Sequence, residues 1–297
     1  MPVTTSNLLP PELMAQLQRL ELVTRKVFRG RMKGERRSKR KGQSVEFADF
    51  RNYVPGDDLR RLDWNLYARL DKLILKLFLE EEDLHFFTLI DDSLSMGFGD
   101  PSKLEYAKQL AAALGFVGLV RSDRVVIERI GQSLRERGPV LRGRKSVWRM
   151  LEWLDGVQPA DDAPTLAEGV RRFCLRNSGQ GVVVLISDLM DKEGYEAAIR
   201  YLVARRVDVY VIQVLSREEI DPDIQGDLRL VDCEDGDFAE VTASAPLLKR
   251  YKQTLDAFTS GAQQFCAKRG VAYLLADNQT PVADLMSGYM RSRGLVR

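Results

Sequence analysis

Two short apolar runs, each closed by an aspartate, constrain this chain more than any other feature. The first, Leu84-His85-Phe86-Phe87-Thr88-Leu89-Ile90, runs into Asp91-Asp92-Ser93-Leu94-Ser95, and the second is Gly181-Val182-Val183-Val184-Leu185-Ile186-Ser187-Asp188. Apolar runs of this length, bounded by turn residues, suit strands buried on both faces. Burial on both faces needs helices on each side. Helical patterns over 102–120, 146–155, 165–177, 192–205, 246–268 and 280–291 alternate with strands expected at 84–91, 124–130, 182–188, 208–215 and 271–276. That order predicts an α/β fold with a doubly wound, mainly parallel, Rossmann-like sheet. Ligands of such sheets bind outside the carboxyl ends of the strands, where Asp91 and Asp188 both fall.

Asp91, Ser93 and Ser95 occupy alternate positions of the turn, so one carboxylate and two hydroxyls can converge on one point. An all-oxygen set suits a hard cation such as Mg²⁺ or Mn²⁺ and offers soft metals no advantage. Aspartate and serine also cap the turns and helices that follow strands, which is the structural alternative for the triplet alone. With Thr165 and Asp188 added in order, the set resembles the metal-ion-dependent adhesion site of von Willebrand factor A-like domains. The resemblance implies a first loop of Asp91, Ser93 and Ser95, a second with Thr165 and a third with Asp188. It makes Ser93 and Ser95 direct ligands, Thr165 a direct or water-mediated one, and leaves Asp91 and Asp188 acting directly or through waters. Thr165 departs from the pattern, standing in Asp161-Asp162-Ala163-Pro164-Thr165-Leu166 with no Gly-rich approach and no following Asp.

A longer resemblance begins upstream, in Phe47-Ala48-Asp49-Phe50-Arg51-Asn52-Tyr53-Val54-Pro55-Gly56-Asp57-Asp58-Leu59-Arg60-Arg61-Leu62-Asp63-Trp64 and then Ala68-Arg69. Further matches are Pro101-Ser102-Lys103-Leu104, Leu185-Ile186-Ser187-Asp188 and Leu215-Ser216-Arg217-Glu218-Glu219. Together they resemble the bacterial family known as domain of unknown function 58 (DUF58), whose members join such a segment to an A-like domain. The organisation expected is an N-terminal amphipathic helix in 1–28, a basic connector and β-rich DUF58 segment in 29–83, and the A-like domain in 84–297.

The residues of the upstream part agree. Pro10-Pro11 precede apolar positions at Leu13, Leu17, Leu20, Val23 and Val27, three or four apart, which predicts an amphipathic helix. Val45, Phe47 and the alternation through Leu73, Leu75, Leu77 and Leu79 predict strands, with Pro55-Gly56 at the centre of a tight turn. Arg51, Arg60, Arg61 and Arg69 can pair with Asp49, Asp57, Asp58 and Asp63, covered by Trp64 and Tyr53. A direct binding surface is the alternative for this cluster. Leu228–Cys233 and Phe238–Val241 flank Glu234-Asp235-Gly236-Asp237, a hairpin signal.

Composition bounds the remaining possibilities. A 44% hydrophobic content is enough for a sizeable core. The longest apolar runs fall far short of the roughly 18 residues of a membrane span. Met1-Pro2-Val3-Thr4-Thr5 lacks the regions of a signal peptide. Cys174, Cys233 and Cys266 show no metal-ligand spacing or disulfide framework. A cytoplasmic location is expected. Residues 25–41 hold ten Lys or Arg against Glu35, a local balance of +9 in a chain of net charge +2. With Phe28 as its one aromatic, that run predicts a solvated connector or a contact for an acidic protein, with no specific nucleic-acid platform.

Enzyme readings find little support. Gly138-Pro139-Val140-Leu141-Arg142-Gly143-Arg144-Lys145-Ser146 nearly spells a P-loop, but Arg144 separates the second glycine from the lysine that must reach the phosphates. An aspartyl phosphotransferase would want aspartate where Ser93 stands. His85 has no Ser or Cys partner for triad chemistry. Asp57, Asp58, Asp63 and the run Glu80–Asp83 read as solvated or ion-paired charges. The expected function is therefore a non-enzymatic, Mg²⁺- or Mn²⁺-dependent protein-binding adaptor. The family resemblance implies a partner: a MoxR-type AAA+ ATPase, or its client. The alternative is a metal-dependent hydrolase using the same cation as Lewis acid.

Overall fold

The structure is a computed structural model that describes residues 8–20, 45–80, 85–121, 123–131, 138–161, 163–205, 207–234, 236–290 and 295. Contacts divide the chain into two compact units, Val27–Asp83 and the combination of Met1–Lys26 with Leu84–Arg297. Helix α1 (Pro11–Leu17) opens on a proline, which at the first helical position forfeits no hydrogen bond. It is shorter than its apolar spacing predicts. Gln18 caps it, and Leu20 continues the apolar series from beyond the helix end while packing on the same core. Leu9, Leu13 and Leu17 are buried in that core. Val23, Val27 and the basic run over 25–41 lie outside the described residues.

In the smaller unit, β1 (Val45–Asn52), α2 (Trp64–Leu70) and β2 (Ile74–Glu80) form a hairpin-like pair around one helix. The strands are antiparallel, with a register shift between Phe47 and Asp49. Gly56, at φ 106°, takes the left-handed position after Pro55, as the turn requires. Asp57 receives Arg51 through two bonds of 2.7 and 2.6 Å. Asp58 accepts the Arg60 N–H, and Asp63 caps α2 while pairing with Lys76 at 3.1 Å. Trp64 does not cover this network: it is 59% exposed and meets Tyr67 edge-on.

The larger unit continues with β3 (His85–Ile90), α3 (Lys103–Val120), β4 (Arg124–Arg129), β5 (Val140–Arg142), α4 (Val147–Asp155), α5 (Leu166–Arg176) and β6 (Gly181–Ser187). Then come α6 (Glu196–Val203), β7 (Val207–Leu215), α7 (Arg217–Ile220), β8 (Gly226–Val231), β9 (Phe238–Ala243), α8 (Ala245–Ala267) and β10 (Ala272–Asp277). Six strands form one sheet in the order β10-β7-β6-β3-β4-β5, all parallel except β5. This is the doubly wound, mainly parallel sheet expected from the sequence.

Alternation along β3 divides the core. Phe86 and Ile90 face the cluster with α1, α3 and α4, whereas Phe87 and Leu89 face the one with α5, α6 and α8. Covered by the sheet, α1 and α4, α3 is buried nearly all round, including Ala111, Ala112 and Ala113.

Three local results differ from or add to the sequence pattern. The near-miss P-loop forms β5, an antiparallel edge strand, and a turn in which the Ser146 hydroxyl donates to the Arg142 carbonyl at 2.8 Å. The C-terminal helix expected over 280–291 is a short turn, Val282–Asp284, running into π-helical geometry over Leu285–Met290. The β8–β9 hairpin forms with Val231 opposite Phe238. All three cysteines are free, and burial pushes the Cys266 thiol up to about 12. No helix among the described residues is long and apolar enough to cross a membrane.

Candidate metal centre

The chain passes from β3 to β4 on one side and returns to β6 on the other. The carboxyl ends of β3 and β6 therefore flank the switch point of the sheet, the usual ligand position in this architecture. Their register pairs Ile90 with Ile186, and the Asp91 N–H bonds to the Ile186 carbonyl at 2.9 Å. Asp91 and Asp188 are thus carried out of the sheet side by side. Asp91, Ser93, Ser95, Thr165 and Asp188 all line one cavity of about 330 Å³.

Each loop is tied down locally. Asp91 Oδ1 accepts the Ser93 N–H at 3.1 Å, and its Oδ2 accepts the Ser187 hydroxyl at 2.5 Å. The Ser93 and Ser95 hydroxyls lie 3.0 Å apart. Asp92, fully buried, points away from the cavity to the Gly131 N–H (2.6 Å) and Arg129 (3.4 Å). A β-carbon at Gly131 would stand 2.8 Å from that carboxylate, so glycine permits the approach.

The Thr165 loop is held from both sides. The Ala160 N–H donates to the Asp92 carbonyl at 2.7 Å, and Asp191 accepts the Leu166 N–H at 2.6 Å. Thr165 caps α5, its hydroxyl accepting the Glu168 N–H at 3.3 Å. A hydroxyl oxygen that accepts one bond keeps a further lone pair and its proton.

Asp188 is the most engaged member. Its Oδ1 accepts the Met190 N–H at 3.0 Å and its Oδ2 accepts Lys103 Nζ at 2.8 Å. The next residue, Leu189, is left-handed at φ 62°. That conformation costs roughly 1–2 kcal/mol outside glycine. Burial of its side chain and a 2.9 Å bond from its N–H to the Ser187 hydroxyl hold it.

Burial, and next the charge of Asp188, push the Asp91 carboxyl up to about 6. Burial also raises Asp92, against the pull of the Gly131 N–H and Arg129. At the mouth, partial burial raises Glu234, and the neighbouring Asp188, Asp232 and Asp191 add to it. Burial would lower the Lys103 ammonium, but Asp188 and Glu219 outweigh it and hold the group above its ordinary value.

The donor set fits a hard divalent cation. The carboxylates of Asp91 and Asp188 and the hydroxyls of Ser93, Ser95 and Thr165 line the cavity, with Asp161, Asp191, Glu193 and Glu234 also on its walls and no cysteine or histidine among its lining residues. Among the described residues no three His, Cys, Asp or Glu side chains converge as a metal cluster. A cation here would accordingly depend on Ser93, Ser95 and Thr165 as much as on the acids. Since both oxygens of Asp91 and of Asp188 already accept hydrogen bonds, the carboxylates would contribute through remaining lone pairs or through water. Ser187, Lys103, Asp191 and Glu219 escaped the sequence reading as site residues. Three of them, Lys103, Ser187 and Glu219, stand in the stretches that carry the family resemblance.

Known proteins add the following. Over 231 residues the chain is 29% identical to the uncharacterized protein Rv1480 of Mycobacterium tuberculosis, covering 76% of this chain and 72% of that one. A solved structure of BatB, a conserved hypothetical protein from Bacteroides thetaiotaomicron, overlaps 70% of this chain and 98% of its own at 17% identity and a TM-score of 0.45. A von Willebrand factor type A structure from Catenulispora acidiphila overlaps 48% of this chain and 36% of its own at 13% identity and a TM-score of 0.34. The family described as protein of unknown function DUF58 matches residues 49–258, the greater part of the sequence, and this chain belongs to it.

Proposed function

We propose that this protein is a non-enzymatic, cytoplasmic adaptor that binds other proteins through a divalent cation and works with a MoxR-type AAA+ ATPase in the assembly or maturation of other proteins. The observation that carries the reading is the cavity at the sheet's switch point, lined by Asp91, Ser93, Ser95, Thr165 and Asp188 among others. Mg²⁺ or Mn²⁺ held mainly by hydroxyls, with Asp91 and Asp188 as the two acids of its donor set, stays electrophilic. A carboxylate from another protein is the natural group to complete its coordination. Around the cavity this chain's own residues orient the donors: Ser187 holds Asp91, Asp191 holds the Thr165 loop, and Lys103 holds Asp188. The ATPase partner follows from the resemblance of DUF58 chains to A-domain components that act with such motors. The near-miss P-loop is folded as an edge strand paired antiparallel with β4.

Pulldown with a MoxR-type ATPase or its client tests the proposal. The complex should form in Mg²⁺, fall away in chelator, and weaken about tenfold or more in Ser93→Ala/Ser95→Ala, the scale of roughly 1.4 kcal/mol. The purified chain should not hydrolyse ATP or generic phosphoester and peptide substrates. Turnover lost on Lys145→Ala would overturn the adaptor reading.

A further inference from the structure

Lys103 occupies a place that a cation does not choose on local grounds. It is the first residue of α3, where the helix dipole disfavours positive charge, and it is 0% exposed. Two carboxylates account for it. Asp188 Oδ2 lies 2.8 Å from its ammonium and Glu219 Oε1 2.6 Å, with Asp188 and Glu219 side chains only 3% and 15% exposed. Glu219 is independently anchored: its other oxygen accepts the Ser216 N–H at 2.8 Å in the capping box of α7, and its carbonyl accepts the Tyr251 hydroxyl.

We propose that Lys103 is the built-in counter-ion of Asp188, a positioning residue that holds the third loop in the cation-free protein, sets the charge the cavity offers, and stays paired with Glu219 when Asp188 turns toward a bound cation. The inference rests on the cation-binding reading above and deepens it. The one ammonium offsets part of the charge of the two carboxylates it touches, Asp188 and Glu219, beside a cavity whose other acids, Asp91, Asp161, Asp191, Glu193 and Glu234, outnumber its lining lysine, Lys192. Loss of the ammonium adds one unit of negative charge beside the cation site, and loss of the Glu219 carboxylate removes one. The two changes therefore act on cation affinity with opposite signs, although each breaks the same ion pair. A purely structural pair would give losses in both.

The experiment is Mn²⁺ titration by electron paramagnetic resonance, with melting curves in chelator, on four proteins: wild type, Lys103→Met, Glu219→Gln and the double variant. Lys103→Met should bind Mn²⁺ about tenfold more tightly than wild type and Glu219→Gln about tenfold more weakly, with the double variant near wild type. In chelator Lys103→Met should melt well below wild type, and Glu219→Gln added to it should recover much of the loss. Affinity that moves the same way in both single variants, or in neither, overturns the counter-ion proposal. If no variant and no wild type binds Mn²⁺, the cation reading itself falls. Recovery of the double variant in chelator separates that failure from a failure of Lys103's pairing role: absence of recovery overturns the role.

Discussion

Saturating Mn²⁺ or Mg²⁺ is expected to raise the melting temperature of the wild-type protein by several degrees, and Asp91→Ala to abolish the rise while leaving the protein folded. At about 100 times its dissociation constant a ligand that binds only the native state adds about 2.7 kcal/mol. For a domain of roughly this size that is on the order of 5–10 °C. Asp91 lines the cavity with Ser93, Ser95 and Asp188, so its removal takes away one of the two acids of the proposed donor set. The fold should tolerate the loss, since burial and Asp188 already disfavour its charge. Ser187 loses an acceptor but keeps its contact with the Leu189 N–H. Thermal scans with cation and with chelator read both halves. A cation-induced rise that persists in Asp91→Ala would place the binding elsewhere.

Gly181→Ala should be the most damaging single substitution at the start of β6. Its φ of 147° is one that residues with side chains rarely adopt, and an added β-carbon would lie 2.0 Å from the His85 carbonyl oxygen. That atom is backbone and cannot swing aside. His85 also pairs with Gly181 in the β3–β6 register, and its N–H bonds to the Gln180 carbonyl at 3.0 Å. The two strands must separate at this end, and the same two strands present Asp91 and Asp188 at the other. A loss of about 4 kcal/mol or more is expected from chemical denaturation. Gly143→Ala is the control: φ is 73° and ψ 159° there, a region essentially reserved to glycine, and nothing lies within 4 Å, so strain alone, about 1–3 kcal/mol, should appear. Equal losses at the two glycines would contradict the register argument.

Much of this architecture was legible along the chain, because the signals are local. The buried runs ending in Asp91 and Asp188 became adjacent parallel strands, and Thr165 became the cap of α5. Local signals failed where partners are distant in sequence. Lys103, Asp188 and Glu219 meet only because β6 and β7 lie side by side and α3 begins over their ends. No periodicity reports such a meeting, although all three stood in stretches noted for their family likeness. Asp191 reaches the Leu166 N–H across a comparable gap. The three residues of β5 carry too little alternation to signal a strand, and pairing with β4 supplies what propensity does not. α1 ends before its apolar spacing does, since Leu20 keeps that spacing after the backbone has left the helix.

The most direct test of the central claim is the stoichiometry of Mn²⁺ bound to the wild-type chain. Titration followed by electron paramagnetic resonance should show a single hydroxyl- and carboxylate-bound Mn²⁺ per chain, displaced by Mg²⁺ and lost in Ser93→Ala/Ser95→Ala. A wild-type protein that leaves the free Mn²⁺ signal unchanged at millimolar cation would contradict it.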